Sequence, residues 1–418
     1  MALTASEAER RLLSLELFGM RFGLDRMRRL MTVLDHPERA FRSVHVVGTN
    51  GKSSTVRMLS GILTRHGHRT GAYLSPHLSS FCERIRVDDD DISPERFAAA
   101  VQRALRAADE VNREAEEGDV VTQFEVLTAA AYTELAERGV ELAAIEAGLG
   151  GRYDATSVIE SEVQVLTSVG LDHTRWLGSE IADIAREKLD VVRSGGTLVL
   201  GPGLHPDAEP VVTEIAGQRG ANVVRAGAEP PVRAAALGAF QQRNFSVACA
   251  AAEALLGGLD PAAVAAAAAE IQVPGRMQVT GERPLTVLDA AHNADGIAAL
   301  LETVRELAGA RRLVAVVSIL QDKDAAAMLG LLAPRCDVLV VTTSSNPRSL
   351  TPNDLQQIAV GLGVSAPIQT IADPHRALAR AATLAGEDGV VVATGSLYLV
   401  RDLLAPAEAT APRHASML

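Results

Sequence analysis

Short apolar runs, each closed by a glycine or a polar turn, alternate along the chain with longer stretches whose apolar residues recur at helical spacing. "SVHVVG" (43–48), "LAAIEAG" (142–148), "VQVLTSVG" (163–170) and "TLVLG" (197–201) read as buried parallel strands. Between them, "FEVLTAAAYTELAERG" and "SEIADIAREKLDVVRSGG" read as helices, the second with Ser179 placed to cap its start. A second cycle follows: "RRLVAVVSI" (311–319), "CDVLVVTT" (336–343), "APIQTIA" (366–372) and "GVVVATGS" (389–396) are further strands separated by helical patterns. The class is α/β. The stretch "IQVPGRMQVTGERPLTVLD" (271–289) has two prolines and two glycines and breaks the alternation, so the domain boundary is expected there. The resulting division is 1–280 and 281–418, with a disordered tail from about residue 405.

A length of 418 residues agrees with two cores rather than one. The formal net charge of −12 and the 3% of aromatic residues argue against a nucleic-acid binder, which needs a basic surface or stacking platforms. The three cysteines, Cys82, Cys249 and Cys336, are widely spaced and suggest neither a disulfide framework nor a zinc site. The first residues carry charges throughout and lack the apolar core of a signal peptide, and "AAVAAAAAEI" is too short to span a bilayer. A cytoplasmic protein with no membrane partner is expected.

Candidate chemistry begins at "GTNGKSST" (48–55), between a strand and a helix. Free amides at a helix start, the charge of Lys52 and a serine hydroxyl form a phosphate cradle of the kind used for ATP with Mg²⁺. The usual spacing G-x-x-x-x-G-K-[ST] requires a glycine where this chain has Val46. Glu146 ends another strand and suits a hard cation; Asp172 and His173 follow a third. A single histidine is ordinarily structural, and Lys188, beside Glu187, would ordinarily be a solvated charge. The convergence of several strand ends is what makes the group a candidate site. Further along, Arg243 and Asn244 open an alanine-rich helix, Arg276 lies in the boundary stretch, and Asp289, His292 and Asn293 follow a strand.

Read in order, "HVVGTNGKSS", "SPHLSSFCERIRV", "TQFEVLTAAAY", "EAGLGGRYDATSV", "LDHTRWLG…IAREK", "FQQRN", "PGRMQ" and "LDAAHNADG" resemble the folylpolyglutamate synthase/dihydrofolate synthase family of the Mur ligase superfamily. "GLDRMRRLMTVLDHPERAF" and "TGSLYLVRDLL" extend the likeness over most of the chain, from about residue 16 to about residue 404. The shortened glycine loop is the form that superfamily uses.

The resemblance implies an N-terminal P-loop ATPase domain and a smaller, Rossmann-like C-terminal domain that closes over ATP and brings in L-glutamate. It implies an acyl phosphate made from ATP and a carboxylate, then attacked by the amine of glutamate. The acceptor would be dihydropteroate or a reduced folate. Thr49, Asn50, Gly51, Lys52, Ser53, Ser54, Asn244, Arg276, Asp289 and His292 would contact ATP. Ser54, Glu146, His173 and a carbamylated Lys188 would hold Mg²⁺, with Lys52, Lys188 and His173 as the catalytic group. Ser75, His77, Gln123, Phe124 and Asp154 would bind the acceptor. K⁺ as an additional ion and a monomeric state are further implications.

The chain departs from the family pattern at Ser53, where glycine is usual, at Tyr153 and Ser157, and in "EKLDVVRSGG" (187–196), at the turn after Lys188. Two rivals stand beside this reading. One is a Mur-type or specialised amide ligase acting on a non-pterin acid; the other is an ATP-binding regulator without ligation.

Overall fold

The computed structural model describes residues 3–15, 23–116 and 119–406. The tail expected from about residue 405 therefore lies, from 407 on, outside the described residues. The chain forms two units. Among the described residues, the first comprises those up to Ala235 with Gln241–Ile271; the second comprises Ala236–Phe240 and residues 272–406.

The first unit is built on an eight-stranded sheet. In chain order its strands are β1 Arg42–Val47, β2 Thr70–Tyr73, β3 Ile85–Val87, β4 Asp90–Asp91, β5 Leu142–Glu146, β6 Val163–Leu166, β7 Thr197–Leu200 and β8 Asn222–Arg225. Their spatial order is β4-β3-β2-β5-β1-β6-β7-β8, and all neighbours are parallel except β2/β3 and β3/β4. The apolar run of β1 is buried beyond Arg42 because the strand is central, flanked by β5 and β6. One buried cluster joins the helices Pro94–Arg113 and Gln123–Glu137 through Phe97, Val101, Val126 and Tyr132. Another joins the helices Ile181–Leu189 and Glu209–Arg219 through Ile184, Leu189, Val212 and Ile215.

The second unit has a six-stranded sheet: β9 Gln278–Glu282, β10 Leu285–Leu288, β11 Leu313–Val317, β12 Val338–Val341, β13 Ile368–Thr370 and β14 Val390–Thr394. Its order is β13-β12-β11-β14-β10-β9, parallel except for the β9/β10 hairpin.

Three local expectations change. Ser179 does not cap a helix; the helix begins at Ile181 after Glu180, which makes no side-chain cap bond. The boundary stretch is not irregular throughout, since it contains the β9/β10 hairpin. Arg243 and Asn244 lie one turn inside a helix that starts at Ala239. Among the described residues no helix is long and apolar enough to cross a membrane.

Candidate active site

Because β1 is flanked by β5 and β6, the loops after these strands meet at one edge. The glycine loop after β1 is fastened to the loop after β6. Thr49 N donates to Ser168 O, Asn50 N donates to Ser168 Oγ at 2.9 Å, and Thr167 Oγ1 donates to Asn50 O at 2.7 Å. Gly48 passes so close to Thr167 that a Cβ would collide with its hydroxyl. Gly51 takes φ +87° and starts the helix Lys52–Arg65 with no side-chain cap, leaving the first-turn amides to face an anion. A Cβ on Gly51 would stand 2.5 Å from Asn244 Oδ1, which places Asn244 against the loop.

Lys52 Nζ donates to Gly48 O at 3.0 Å, and Lys188 Nζ donates to the same oxygen at 3.1 Å. Two lysines 136 positions apart thus converge on one carbonyl (188 − 52). Lys188 is buried, and burial together with the nearby Lys52 charge lowers its pKa to about 7, against the opposing pull of Asp172, Asp154 and Glu187. Near neutral pH much of Lys188 is therefore a free amine, the form that reacts with CO₂.

Glu146, at the end of β5, is buried. Its Oε1 accepts from Ser53 Oγ at 2.8 Å and its Oε2 from Ser75 N at 3.1 Å. Among the described residues Ser75 Oγ is buried without a hydrogen-bond partner. Ser53, Ser75 and Glu146 are hard oxygen donors in one place, with a hydroxyl left over, and this set fits Mg²⁺ or Mn²⁺. Ser54 is buried on the same helix turn. No three His, Cys, Asp or Glu side chains cluster among the described residues, so the set is not a closed protein cage. The link from Ser53 to Glu146 and the orphan hydroxyl of Ser75 were not read from the sequence. The replacement of glycine by Ser53 was the visible signal for the first.

His173 takes a left-handed conformation, φ 51°, before the short helix Thr174–Leu177. Its amide donates to Asp172 Oδ1 at 2.9 Å, and its side chain is 43% exposed. Of the residues expected to bind the acceptor, Phe124 lies over the loop after β5, where a Cβ on Gly148 would come within 2.6 Å of its ring. His77 Nδ1 accepts from Arg84 Nε at 2.8 Å, and its ring lies 4.2 Å from that of Phe81. Gln123 Nε2 donates to Leu12 O at 2.8 Å. Asp154 is buried and turned inward, accepting from Leu149 N at 2.8 Å, Thr156 N at 3.0 Å and Thr156 Oγ1. Burial raises its pKa while these donors oppose the rise.

In the second unit, Asp289 follows β10 and accepts from Met277 N at 2.9 Å and Ala291 N at 2.8 Å. Burial raises the pKa of its carboxyl, against the charge of Arg276. His292 is held by Ala290 O at 3.0 Å, and Asn293 caps the helix Ala294–Ala308. Arg276, Asp289 and His292 thus gather at one edge of the second sheet.

A glycine loop with paired lysines in one unit and a separate α/β unit describe a Mur-type ligase, and residues 275–397 match the Mur ligase, glutamate ligase domain. The chain is 32% identical over 389 residues to a dihydrofolate synthase/folylpolyglutamate synthase of Mycobacterium tuberculosis, covering 81% of this chain and 77% of that one. It is 31% identical to the Bacillus subtilis protein of the same name, over 92% of this chain and 95% of that one. The chain belongs to the dihydrofolate synthase/folylpolyglutamate synthase family. Folylpolyglutamate synthase of M. tuberculosis, solved with ADP, superposes with a TM-score of 0.90 at 30% identity over 98% of this chain and 99% of that one. Escherichia coli FolC with DHPP and ADP gives 0.85 at 27%, over 96% and 97%. The Yersinia pestis bifunctional enzyme, solved with AMPPNP and a Mn ion, gives 0.83 at 27% over the same shares.

Proposed function

We propose that this chain is an ATP-dependent ligase that joins L-glutamate to a pterin-bearing carboxylic acid, dihydropteroate or a reduced folate. A carboxylate cannot acylate an amine directly, because oxide would have to leave. In the proposed reaction a carboxylate oxygen of the acceptor attacks the γ-phosphorus of ATP, and the bond to ADP breaks. The neutral amine of glutamate then attacks the acyl carbon, phosphate leaves with the electron pair of the C–O bond, and the amine sheds a proton.

The observation that carries this reading is the convergence of Lys52 and Lys188 on Gly48 O beside Glu146, Ser53 and Ser75. Lys52 would turn from the loop carbonyls to the β- and γ-phosphates, while the first-turn amides hold the chain of phosphates in line. A divalent cation among Glu146 and the serine hydroxyls would supply neutralisation of the phosphoryl charge. Lys188, as its carbamate, would present an anion in place of an ammonium. His173, K⁺ and nucleotide contacts from Asn244, Arg276, Asp289 and His292 belong to the same proposal, as does glutamate delivery by the second unit. Phe124 and His77 would face the pterin.

Mass spectrometry of two parallel reactions tests it, each with MgATP, K⁺ and L-glutamate, one with dihydropteroate and one with tetrahydrofolate. A glutamyl mass gain is expected in at least one. No gain in either, from folded protein that binds ATP, would point to a different carboxylate.

A further inference from the structure

His45 sits in the middle of β1 and is fully buried, yet none of the chemistry above uses it. Its Nε2 lies 2.8 Å from Thr156 Oγ1, 111 positions away. Thr156 Oγ1 in turn lies in hydrogen-bond contact with Asp154 Oδ1. A threonine hydroxyl has one proton to give. An ionised carboxylate only accepts, so that proton goes to Asp154, and His45 must then donate to Thr156 through Nε2–H. The assignment leaves His45 Nδ1 as a bare acceptor, and among the described residues Nδ1 is indeed the ring nitrogen with no partner. Burial, with the nearby Arg193 charge, lowers the pKa of the ring to about 3, so it stays neutral. Tyr132 fixes the other end of Thr156 by donating to its carbonyl at 3.0 Å.

What this string holds is the loop after β5, Gly148–Gly151. Asp154 Oδ2 accepts the Leu149 amide, and Asp154 Oδ1 accepts the Thr156 amide. The Gly148–Gly151 loop passes under the Phe124 ring at Gly148, and packs on the carbonyls of Glu187 and Lys188 at Gly151. We propose that His45 is a positioning residue: through Thr156 it commits Asp154 to pinning the Gly148–Gly151 loop, and so sets the acceptor side of the active site rather than the nucleotide side. This rests on the reading of Phe124 as an acceptor contact.

The test is a kinetic cycle on the full chain. His45→Leu and Thr156→Val are expected to raise KM for the pterin acceptor about tenfold, with KM for ATP within about twofold. His45→Gln, which keeps an N–H donor in reach of Thr156, and Thr156→Ser should restore the wild-type value. The double variant His45→Leu/Thr156→Val should be no worse than Thr156→Val alone, because the histidine acts only through the hydroxyl. A merely structural role in β1 would instead shift KM for ATP, since that strand leads directly into the glycine loop, and additive effects or unchanged acceptor kinetics in His45→Leu would overturn the proposal. Should His45→Leu fail to fold, His45→Asn, whose shorter amide falls short of Thr156, is read against His45→Gln; equal kinetics in that pair overturn it. Hydrogen exchange of peptides covering Leu149 gives a readout that needs no turnover. Exchange should quicken in Thr156→Val and stay slow in Thr156→Ser, even if neither pterin acid proves to be a substrate; an unchanged rate in Thr156→Val counts against the pin.

Discussion

The buried imidazole of His45 makes the first unit acid-sensitive in a way that can be isolated. Unfolded, the ring takes a proton near its ordinary value of 6.5; folded, it resists until about 3. Below 6.5 the unfolded chain therefore binds a proton that the native chain refuses, and the balance moves toward unfolding. The contribution is fully present above 6.5 and is lost progressively as pH falls through the window down to about 3. At roughly 1.4 kcal/mol per pH unit, lowering the pH from about 7.5 to about 5 costs about 2 kcal/mol from this residue alone. With a urea dependence of about 2 kcal/mol per molar, the midpoint should fall by about 1 M. Trp176 is the chain's single tryptophan and belongs to the first unit, so intrinsic fluorescence follows the right transition. Other groups also titrate in this range, and the control is His45→Gln, which carries every other group unchanged. The difference in pH response between wild type and His45→Gln should be about 2 kcal/mol, with the wild type the more acid-sensitive. Equal responses would mean that the ring is not held neutral in the folded chain.

Other consequences concern the nucleotide side. Lys52→Ala and Glu146→Ala should each lower ligation at least a hundredfold or so, with circular dichroism unchanged, because each removes charge needed at the transferring phosphoryl group; wild-type-like turnover by either removes it from that role. Gly51→Ala places a side chain at φ +87° against Asn244. It should cost about 1–2 kcal/mol in urea unfolding and weaken ATP binding by calorimetry; an unchanged ATP affinity would show that the loop tolerates a Cβ there. For Lys188, a carbamate requires the free amine, which prevails above a pKa of about 7. With ¹³C-bicarbonate an NMR carbamate signal should appear at mildly alkaline pH, fade as pH falls below that value, and be absent in Lys188→Arg. A signal that persists in Lys188→Arg would belong to another amine.

The order in which strands lie side by side explains which parts of this site could be read from the chain. The runs ending at Val47, Glu146 and Leu166 are apolar because their strands are buried on both faces, and that periodicity is local. That β1 lies between β5 and β6 is not local: nothing near residue 47 says that its neighbours begin at 142 and 163. The motif residues were therefore legible one by one, while their meetings, Lys188 with Gly48 and Ser53 with Glu146, depend on topology. The short strands β3 and β4 and the solvent-facing β9 carry too few buried positions to leave a pattern, which is why the β9/β10 hairpin looked like a linker. The partner of Gln123 likewise depends on the fold: the N-terminal helix Ala5–Leu13 packs near the start of its helix, and the Leu12 carbonyl takes its amide. His45 went unremarked for the same reason. A histidine inside "SVHVV" counts as one more buried strand position until Thr156 is placed against it. A buried polar atom needs a partner, and the identity of that partner is set by the fold. Polar residues inside apolar runs are thus where sequence motifs say least and packing says most. His45 and Thr156 are the pair at which that difference can be measured.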